Sequence, residues 1–245
     1  MSAGHERSQS DSRLVRLSPF RDRVDPWDLP ALRDLVRFIV MTHDQLARRY
    51  ANVARGLARV KELERAGFIQ YWCDLAGARV YVPTKRTRRV ARVLGAQRRR
   101  PNPNHLVHDI GLVDLADALT REHSGSRFLA ESEVRAFLDR VAPPPRRMPG
   151  DTRHPADGLL VDADGRTAIE LELHAKAMSR YTQISAWFIR EARVDRVRWY
   201  IDGPRIRERL REVNAQHGFD RDMQIELLPL PPGMRIRKRP EGLSR

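Results

Sequence analysis

Residues 157–172 read Asp-Gly-Leu-Leu-Val-Asp-Ala-Asp-Gly-Arg-Thr-Ala-Ile-Glu-Leu-Glu, which is two β-prone runs around a turn signal at 162–165. Pairing of Asp162 with Gly165 across that turn would place Asp157 directly opposite Glu170. Glu172 would then share a face with Glu170, because strand side chains repeat every two residues. The stretch therefore predicts a β-hairpin that carries three carboxylates at one end.

These three carboxylates have two interpretations. In the first, Asp157 is a turn or cap residue and the two glutamates form the solvated face of an edge strand, since charged alternation is usual in a half-exposed strand. In the second, the acids line a cleft around a divalent cation, because like charges this close repel one another unless a cation lies between them. Apolar residues on both predicted faces favour the second interpretation; they are Leu159, Val161, Leu160, Ile169 and Leu171.

The composition points to a polyanion as the partner. The 245 residues carry a formal net charge of +14, and the sequence pI is near 11. This balance favours nucleic acid, and we expect double-stranded DNA. The single cysteine, Cys73, excludes an intrachain disulfide and a multi-cysteine zinc site, and it fits a reducing cytoplasm. No apolar run approaches about 18 residues, so no membrane span is expected.

Residues 29–95 have the element order of a winged helix-turn-helix, in which three helices precede a β-ribbon. Apolar spacing over 32–39 predicts the first helix. Thr42 and Gln45 match a capping box that would open the second helix, and Asn52 would cap the third. The predicted buried face of the third helix is Val53, Leu57, Val60 and Leu63.

The second half of this unit predicts the ribbon and the DNA contacts. Strands over 68–72 and 79–82 flank a turn, and Thr87 would open a further helix. In winged-helix folds the third helix enters the major groove, and each phosphate contact adds salt-dependent affinity. The alternative is that these cations are merely solvated, or that the unit docks a protein. The predicted DNA contacts are Asn52, Arg55, Arg59, Arg79, Lys85, Arg88 and Arg89.

The whole chain is expected to contain two folded units, a connection and two tails. A flexible tail would span 1–28, followed by the winged helix-turn-helix over 29–95. A linker and connecting helix would occupy 96–128, and an α/β domain 129–230. A basic tail over 231–245 would complete the chain.

Two parts of the C-terminal half carry further expectations. The α/β domain reads helix, hairpin, helix, strand, helix, strand, with its first helix over 129–141. In the connection, His105 and His108 have i,i+3 spacing and would either bind a metal or pack at the junction. His154 is expected to be an ordinary surface or packing histidine. Of the remaining histidines, it is the one whose position in the sequence could bring it close to Asp157.

The order of elements around the hairpin resembles the PD-(D/E)xK nuclease superfamily. That resemblance implies Mg²⁺ or Mn²⁺ held by Asp157 and Glu170, with Glu131 as the acid of the first helix; Glu133 is the alternative. Glu172 falls where the family usually has lysine, and Lys176 or Arg180, on the helix that follows the hairpin, would supply the missing positive charge. The upstream Pro-Asp step is replaced by Pro155-Ala-Asp. The implied catalytic residues are Asp157, Glu170, Glu172 and Lys176.

The layout over about residues 30–215 also resembles the replication-relaxation family of plasmid and mobile-element proteins. The stretch 169–181 carries most of that resemblance. It implies a DNA-binding protein of plasmid or mobile-element replication or relaxation, with metal-dependent endonuclease (nicking) activity. The alternatives are a non-enzymatic winged-helix regulator and an accessory protein of a relaxase or replication initiator, each with a degenerate nuclease fold.

Overall fold

The computed structural model describes residues 24–93, 101–141, 154–234 and 236. Short 3-10 helices lie at Pro26–Asp28 and Pro103–His105. The α-helices are α1 (Leu29–Phe38), α2 (His43–Ala47), α3 (Val53–Arg65), α4 (Lys85–Ala91), α5 (Leu106–Glu122), α6 (Glu131–Val141), α7 (Met178–Arg190), α8 (Pro204–His217) and α9 (Phe219–Asp222). The strands are β1 (Met41–Thr42), β2 (Ile69–Leu75), β3 (Ala78–Pro83), β4 (Arg127–Ala130), β5 (Gly158–Asp162), β6 (Gly165–Glu172), β7 (Arg196–Ile201) and β8 (Gln224–Pro229).

The fold is mixed α/β, and the described residues form two sheets. In the N-terminal half, an antiparallel sheet has the strand order β1-β3-β2. In the C-terminal half, a sheet has the order β4-β5-β6-β7-β8. Its first three strands are antiparallel, and β6, β7 and β8 are parallel. The predicted α/β class is therefore confirmed.

Local capping signals in the N-terminal half are confirmed. The backbone N–H of Thr42 donates to Gln45 Oε1 at 2.9 Å, and that of Gln45 donates to Thr42 Oγ1 at 3.2 Å. Asn52 Oδ1 accepts from the backbone N–H of Arg55 at 3.0 Å and opens α3. These bonds form within four residues, so the sequence pattern is sufficient to predict them.

Two predictions in the same unit are wrong. Val53 is 48% exposed, because α3 approaches α2 one turn later, at Gly56. A Cβ at Gly56 would lie 2.5 Å from the carbonyl oxygen of Ala47, so the contact there is backbone against backbone. The cap of α4 is Thr84 and not Thr87; Thr84 has the extended backbone that a cap requires, and its side chain accepts from Thr87 N–H.

Part of the stretch predicted as a flexible tail over 1–28 packs against the fold. Residues 24–28 are described, and Asp28 is 1% exposed. Arg59 accounts for this order, since its Nε lies 3.0 Å from Asp28 Oδ1 and its Nη2 lies 2.8 Å from Asp28 Oδ2. The rest of that tail lies outside the described residues, as does most of the predicted basic tail; Met234 and Ile236 pack against the core.

Strand β4 was not predicted from the sequence, which placed the first helix of the α/β domain over 129–141. The helix, α6, begins only at Glu131. Phe128, Leu129 and Ala130 are all buried, so the strand lacks the alternation that marks a half-exposed strand. A run of four residues is too short for its period to be recognised.

The hairpin has the predicted register, and both of its faces are covered. Asp162 pairs with Gly165, and Gly158 pairs with Ile169. One hydrophobic cluster joins α1, α5 and one face of the large sheet through residues such as Leu35, Leu119 and Ile169. A second cluster covers the other face of the sheet, and α6, α7 and α8 contribute to it. Because the first cluster spans both halves, the predicted domain boundaries stay a prediction.

Candidate functional site

The acid cluster, defined as Asp157, Glu170 and Glu172, lies at the open end of the hairpin. Asp157 occupies a bend just before β5, and the glutamates are among the last three residues of β6. Strand β6 is central in its sheet, and Glu170 and Glu172 are only 2% and 3% exposed. The interpretation as the solvated face of an edge strand is therefore wrong. In the parallel ladder their neighbours on β7 are Trp199 and Ile201.

Asp157 is held by the backbone of β6 and by a histidine. Its Oδ2 accepts from the backbone N–H of Leu171 at 2.9 Å, so Asp157 also acts as a cap for the β5–β6 ladder. The same oxygen lies 3.0 Å from His108 Nε2, while His108 Nδ1 lies 3.3 Å from Asp109 Oδ1. Both ring nitrogens therefore face carboxylates, an arrangement that the doubly protonated imidazolium satisfies.

The pKa values of this pair move in opposite directions. Burial acts to lower the pKa of His108, but the charge of Asp157 and the hydrogen bonds to Asp109 and Asp157 outweigh it, so the pKa is raised well above its ordinary value. Burial acts to raise the pKa of Asp157, but the charge of His108 and the bonds from His108 and Leu171 leave it lowered. The two shifts together favour an ion pair.

Glu170 has a different histidine as its partner. His154 Nε2 lies 3.2 Å from Glu170 Oε1 and 3.1 Å from Oε2. Burial, followed by the charge of Asp157, raises the pKa of Glu170 despite this contact. Burial acts to lower the pKa of His154, but Glu170 outweighs it and the pKa is raised. Arg180 Nη2 lies 3.4 Å from His154 Nδ1, behind the ring.

Glu172 is paired with Lys176, in the segment between β6 and α7. Lys176 Nζ donates to Glu172 Oε2. The lysine was expected on the helix after the hairpin, but that helix begins only at Met178. The backbone of Lys176 is fixed on both sides, since its N–H donates to Tyr181 Oη at 3.0 Å and its carbonyl accepts from Arg209 at 2.7 Å. Burial raises the pKa of Glu172, against the lowering effect of Lys176.

The donor chemistry of the acid cluster fits a hard divalent cation. Asp157, which is partly buried, and Glu170, which is fully buried, offer carboxylate oxygens, which Mg²⁺ and Mn²⁺ prefer. Glu131, the third predicted ligand, begins α6 and lines a cavity of about 60 Å³ together with Asp109 and Pro155. Across the described ranges, no group of three or more Asp, Glu, His or Cys side chains is placed to hold a metal ion.

Glu133, the alternative acid of the first helix, has a different role. Its Oε2 lies 2.6 Å from Arg37 Nε and also accepts from the backbone N–H of Ala130. It therefore ties α6 to α1 and to β4. The role of Glu131 as a metal ligand stays a prediction.

Sequence reasoning did not assign His108 and His154 to the acid cluster. For His108 the signal was the His105–His108 pair, but the structure separates the two residues, since His105 is exposed and His108 reaches Asp157. For His154 the signal was its position three residues before Asp157. The sequence does not predict that His108 contacts Asp157 or that His154 contacts Glu170, because both contacts depend on the tertiary structure.

The predicted DNA contacts of α3 and the β2–β3 hairpin differ in whether they are exposed or already paired with carboxylates. Asn52 and Arg55 are exposed at the start of α3. Arg59 forms ion pairs with Asp25, Asp28 and Glu62. Arg79 lies 3.1 Å from Glu64, with its guanidinium 4.7 Å from the centroid of the Tyr71 ring. The charges of Arg59 and Arg79 are thus largely offset within the fold.

The predicted contacts on α4 are more available. Lys85 and Arg89 are exposed, and no carboxylate pairs with either among the described residues. Arg88 is partly buried on the same helix. These cations remain candidates for phosphate contacts.

Comparison with known proteins returned no relative: no protein-family model, curated protein or solved structure matches the chain. The functional interpretation therefore depends on the residues and geometry described above. None of the described helices is long and apolar enough to cross a membrane.

Proposed function

We propose that the chain is a DNA-binding protein of plasmid or mobile-element replication or relaxation that nicks DNA with a divalent cation bound at the acid cluster. The observation that carries the proposal is the convergence of Asp157, Glu170, Glu172 and Lys176 at one end of a central hairpin. The PD-(D/E)xK resemblance assigns these same four positions to the active site.

Each residue then has a distinct task. Asp157 and Glu170, with Glu131, would hold Mg²⁺ or Mn²⁺. When bound, such an ion lowers the pKa of a water molecule and stabilises charge at the phosphoryl group. Lys176 would place a positive charge next to the scissile phosphate, and Glu172 fixes its ammonium group. His108 would hold Asp157 in its ionised form.

DNA binding is assigned to the N-terminal half, which we interpret as a winged helix-turn-helix. Three helices with a three-stranded antiparallel sheet support this interpretation. Asn52 and Arg55 at the start of α3 would reach the major groove, and Lys85 and Arg89 on α4 would contact phosphates. Arg59 would support α3 through its carboxylates and not through DNA.

The test is a nicking assay on supercoiled plasmid, with Mg²⁺ or Mn²⁺ and with EDTA. The parent is expected to nick the plasmid only with metal, while Asp157→Asn and Glu170→Gln lose the activity. Glu208→Gln makes the same chemical change at an exposed position on α8 and is expected to behave as the parent. Equal nicking by parent and site variants would contradict the proposal.

A second candidate is a non-enzymatic regulator, or an accessory protein of a relaxase or replication initiator. It is favoured by the fact that each carboxylate of the acid cluster already has a nitrogen partner: His108, His154 or Lys176. This candidate predicts metal-independent DNA binding with no nicking by any variant. Metal-dependent nicking that disappears in both site variants would exclude it.

A further inference from the structure

A cleft of about 860 Å³ lies at the other end of α5, between α1, α5 and β4. Among the described residues, seven arginines and three carboxylates line it, which leaves an excess of four positive charges. Its apolar floor includes Phe38 and Phe128, whose stacked rings have centroids 6.2 Å apart. We call this feature the arginine cleft. It is not part of the acid cluster.

The carboxylates of the arginine cleft are already occupied. Arg37 lies 2.7 Å from Asp34 and 2.6 Å from Glu133. Arg49 lies 2.6 Å from Asp34 and 2.7 Å from Asp117. Two guanidinium groups therefore engage all three acids.

Three other arginines of the cleft are not neutralised by a carboxylate of the described chain. Arg33, Arg92 and Arg121 are exposed, and no carboxylate pairs with any of them within the described part of the chain. Arg92 follows α4 in the left-handed conformation, with φ of 45° and ψ of 46°, where glycine is the usual residue. Guanidinium groups without a carboxylate partner suit phosphate oxygens, which they bind in a bidentate manner.

Helix α4 connects this cleft to the predicted DNA-binding surface. Lys85 and Arg89 have the spacing i, i+4 and so lie on one side of the helix, and Arg92 is the residue directly after its end, towards the cleft. The row is about 10 Å long at 1.5 Å per residue. A chain of phosphates, and not one isolated phosphate, matches a row of cations that leads into a cleft.

We propose that the arginine cleft binds the backbone of a single nucleic-acid strand, with Arg33, Arg92 and Arg121 as phosphate contacts. The cleft volume of about 860 Å³ lies in the range of about 300–1,000 Å³ typical of pockets that enclose a small ligand, which matches a few nucleotides of one strand. The identity of the ligand rests on the proposed DNA-binding function. The location of the site rests on the unpaired arginines alone.

The test measures binding of a labelled thymidine oligomer at a series of KCl concentrations in EDTA. The oligomer has about 20 nucleotides, which is longer than the binding site of a typical single-strand-binding module. The slope of log K against log salt reports released counterions, about 0.7 per phosphate contact on a single strand. The triple variant Arg33→Gln/Arg92→Gln/Arg121→Gln is expected to lower the magnitude of the slope by about 2, which corresponds to three contacts.

Two matched variants make the measurement specific. Arg205→Gln/Arg211→Gln/Arg221→Gln removes the same charge from exposed positions of α8 and α9, and its slope is expected to match the parent. The variant Arg33→Lys/Arg92→Lys/Arg121→Lys keeps the charge and is expected to keep the slope. Circular dichroism confirms that each variant is folded.

Several outcomes would overturn the inference. Equal slopes for the cleft and control triple variants would do so, as would a parent that binds duplex but no single strand; the latter leaves the proposed function standing. Binding of sodium tripolyphosphate without any oligomer binding would overturn the assignment to nucleic acid. EDTA keeps cleavage out of this measurement, so loss of nicking and loss of strand binding are scored separately.

Discussion

The two charged regions at opposite ends of α5 differ in how their charged side chains are paired. His108 in the first turn of α5 reaches the acid cluster, and Arg121 in its last turn lines the arginine cleft, about 20 Å away at 1.5 Å per residue. Each carboxylate of the acid cluster has one side-chain nitrogen partner: His108, His154 or Lys176. In the arginine cleft, three carboxylates lie among seven arginines, and three of those arginines pair with no carboxylate within the described residues.

This difference determines how each region takes a ligand. A buried carboxylate without a partner is costly, so the acid cluster carries its own compensation, and a cation entering it must compete with His108 and His154. The exposed arginines keep their charge at little cost because water solvates them. An anion can therefore join the arginine cleft without displacing anything.

The largest effect is expected from breaking a buried pair in the acid cluster. His154→Leu leaves Glu170, which is 2% exposed, without its partner and should lower the free energy of unfolding by about 3 kcal/mol. His174→Leu makes the same change at an exposed position and should have little effect. Urea unfolding measures both. The double variant His154→Leu/Glu170→Leu should recover much of the loss, and no recovery would show that the pair itself is not the cause.

A smaller loss is expected at Gly158, which follows Asp157 and packs against Phe128. A Cβ at Gly158 would lie 2.2 Å from Phe128 Cζ, and Phe128 forms part of the floor of the arginine cleft. Gly158→Ala should therefore cost about 2 kcal/mol through overpacking, measured by thermal unfolding. Adding Phe128→Leu should relieve part of the overlap. Additive losses in the double variant would contradict this explanation.

The His108–Asp157 pair predicts a pH dependence of stability. A raised pKa in the folded state means that the contribution of His108 is complete below its ordinary value and is lost as the pH rises through the raised one. The lowered pKa of Asp157 makes its contribution disappear as the pH falls. Urea unfolding of the parent and of His108→Gln, in EDTA, should differ by about 1 kcal/mol near neutral pH. This difference in the free energy of unfolding should become smaller at alkaline pH. A difference that increases with pH would contradict the raised pKa of His108.

The smallest effect is expected from unpaired charge in the arginine cleft. Arg33→Gln removes one repelling cation and should leave stability unchanged or raise it by up to about 0.5 kcal/mol, with the gain fading in high salt. Arg49→Gln, at a side chain that is 12% exposed and bonded to two carboxylates, should instead destabilise the protein. Thermal unfolding at low and high KCl compares them. A marked loss in Arg33→Gln would mean that its charge has an internal partner.

Local features of the fold could be predicted because their causes lie close together in the sequence. The two-residue turn at 163–164 fixes the hairpin register, and a one-residue slip would exchange the two faces. Gly165, with φ of 132°, accommodates the exit from that turn. The caps at Thr42 and Asn52 depend on bonds over three residues.

The partners of the acid cluster could not be predicted, because they come from distant segments. His108 and Asp157 are 49 positions apart, and the position of α5 on the sheet depends on packing in the first hydrophobic cluster. The arginine cleft could not be predicted either, because its residues also come from distant segments. Net charge predicted a polyanion, but only the structure separates Arg37, which pairs with Glu133, from Arg121, which has no carboxylate partner in the described part of the chain.

The most direct test measures binding and cleavage of the same labelled DNA by parent and Glu170→Gln. Affinity is measured in EDTA and cleavage in Mn²⁺. If the acid cluster holds the catalytic metal and the cations bind DNA elsewhere, Glu170→Gln keeps the affinity of the parent and loses cleavage. Cleavage by Glu170→Gln at the rate of the parent, or loss of affinity together with cleavage, would contradict this division between the two regions.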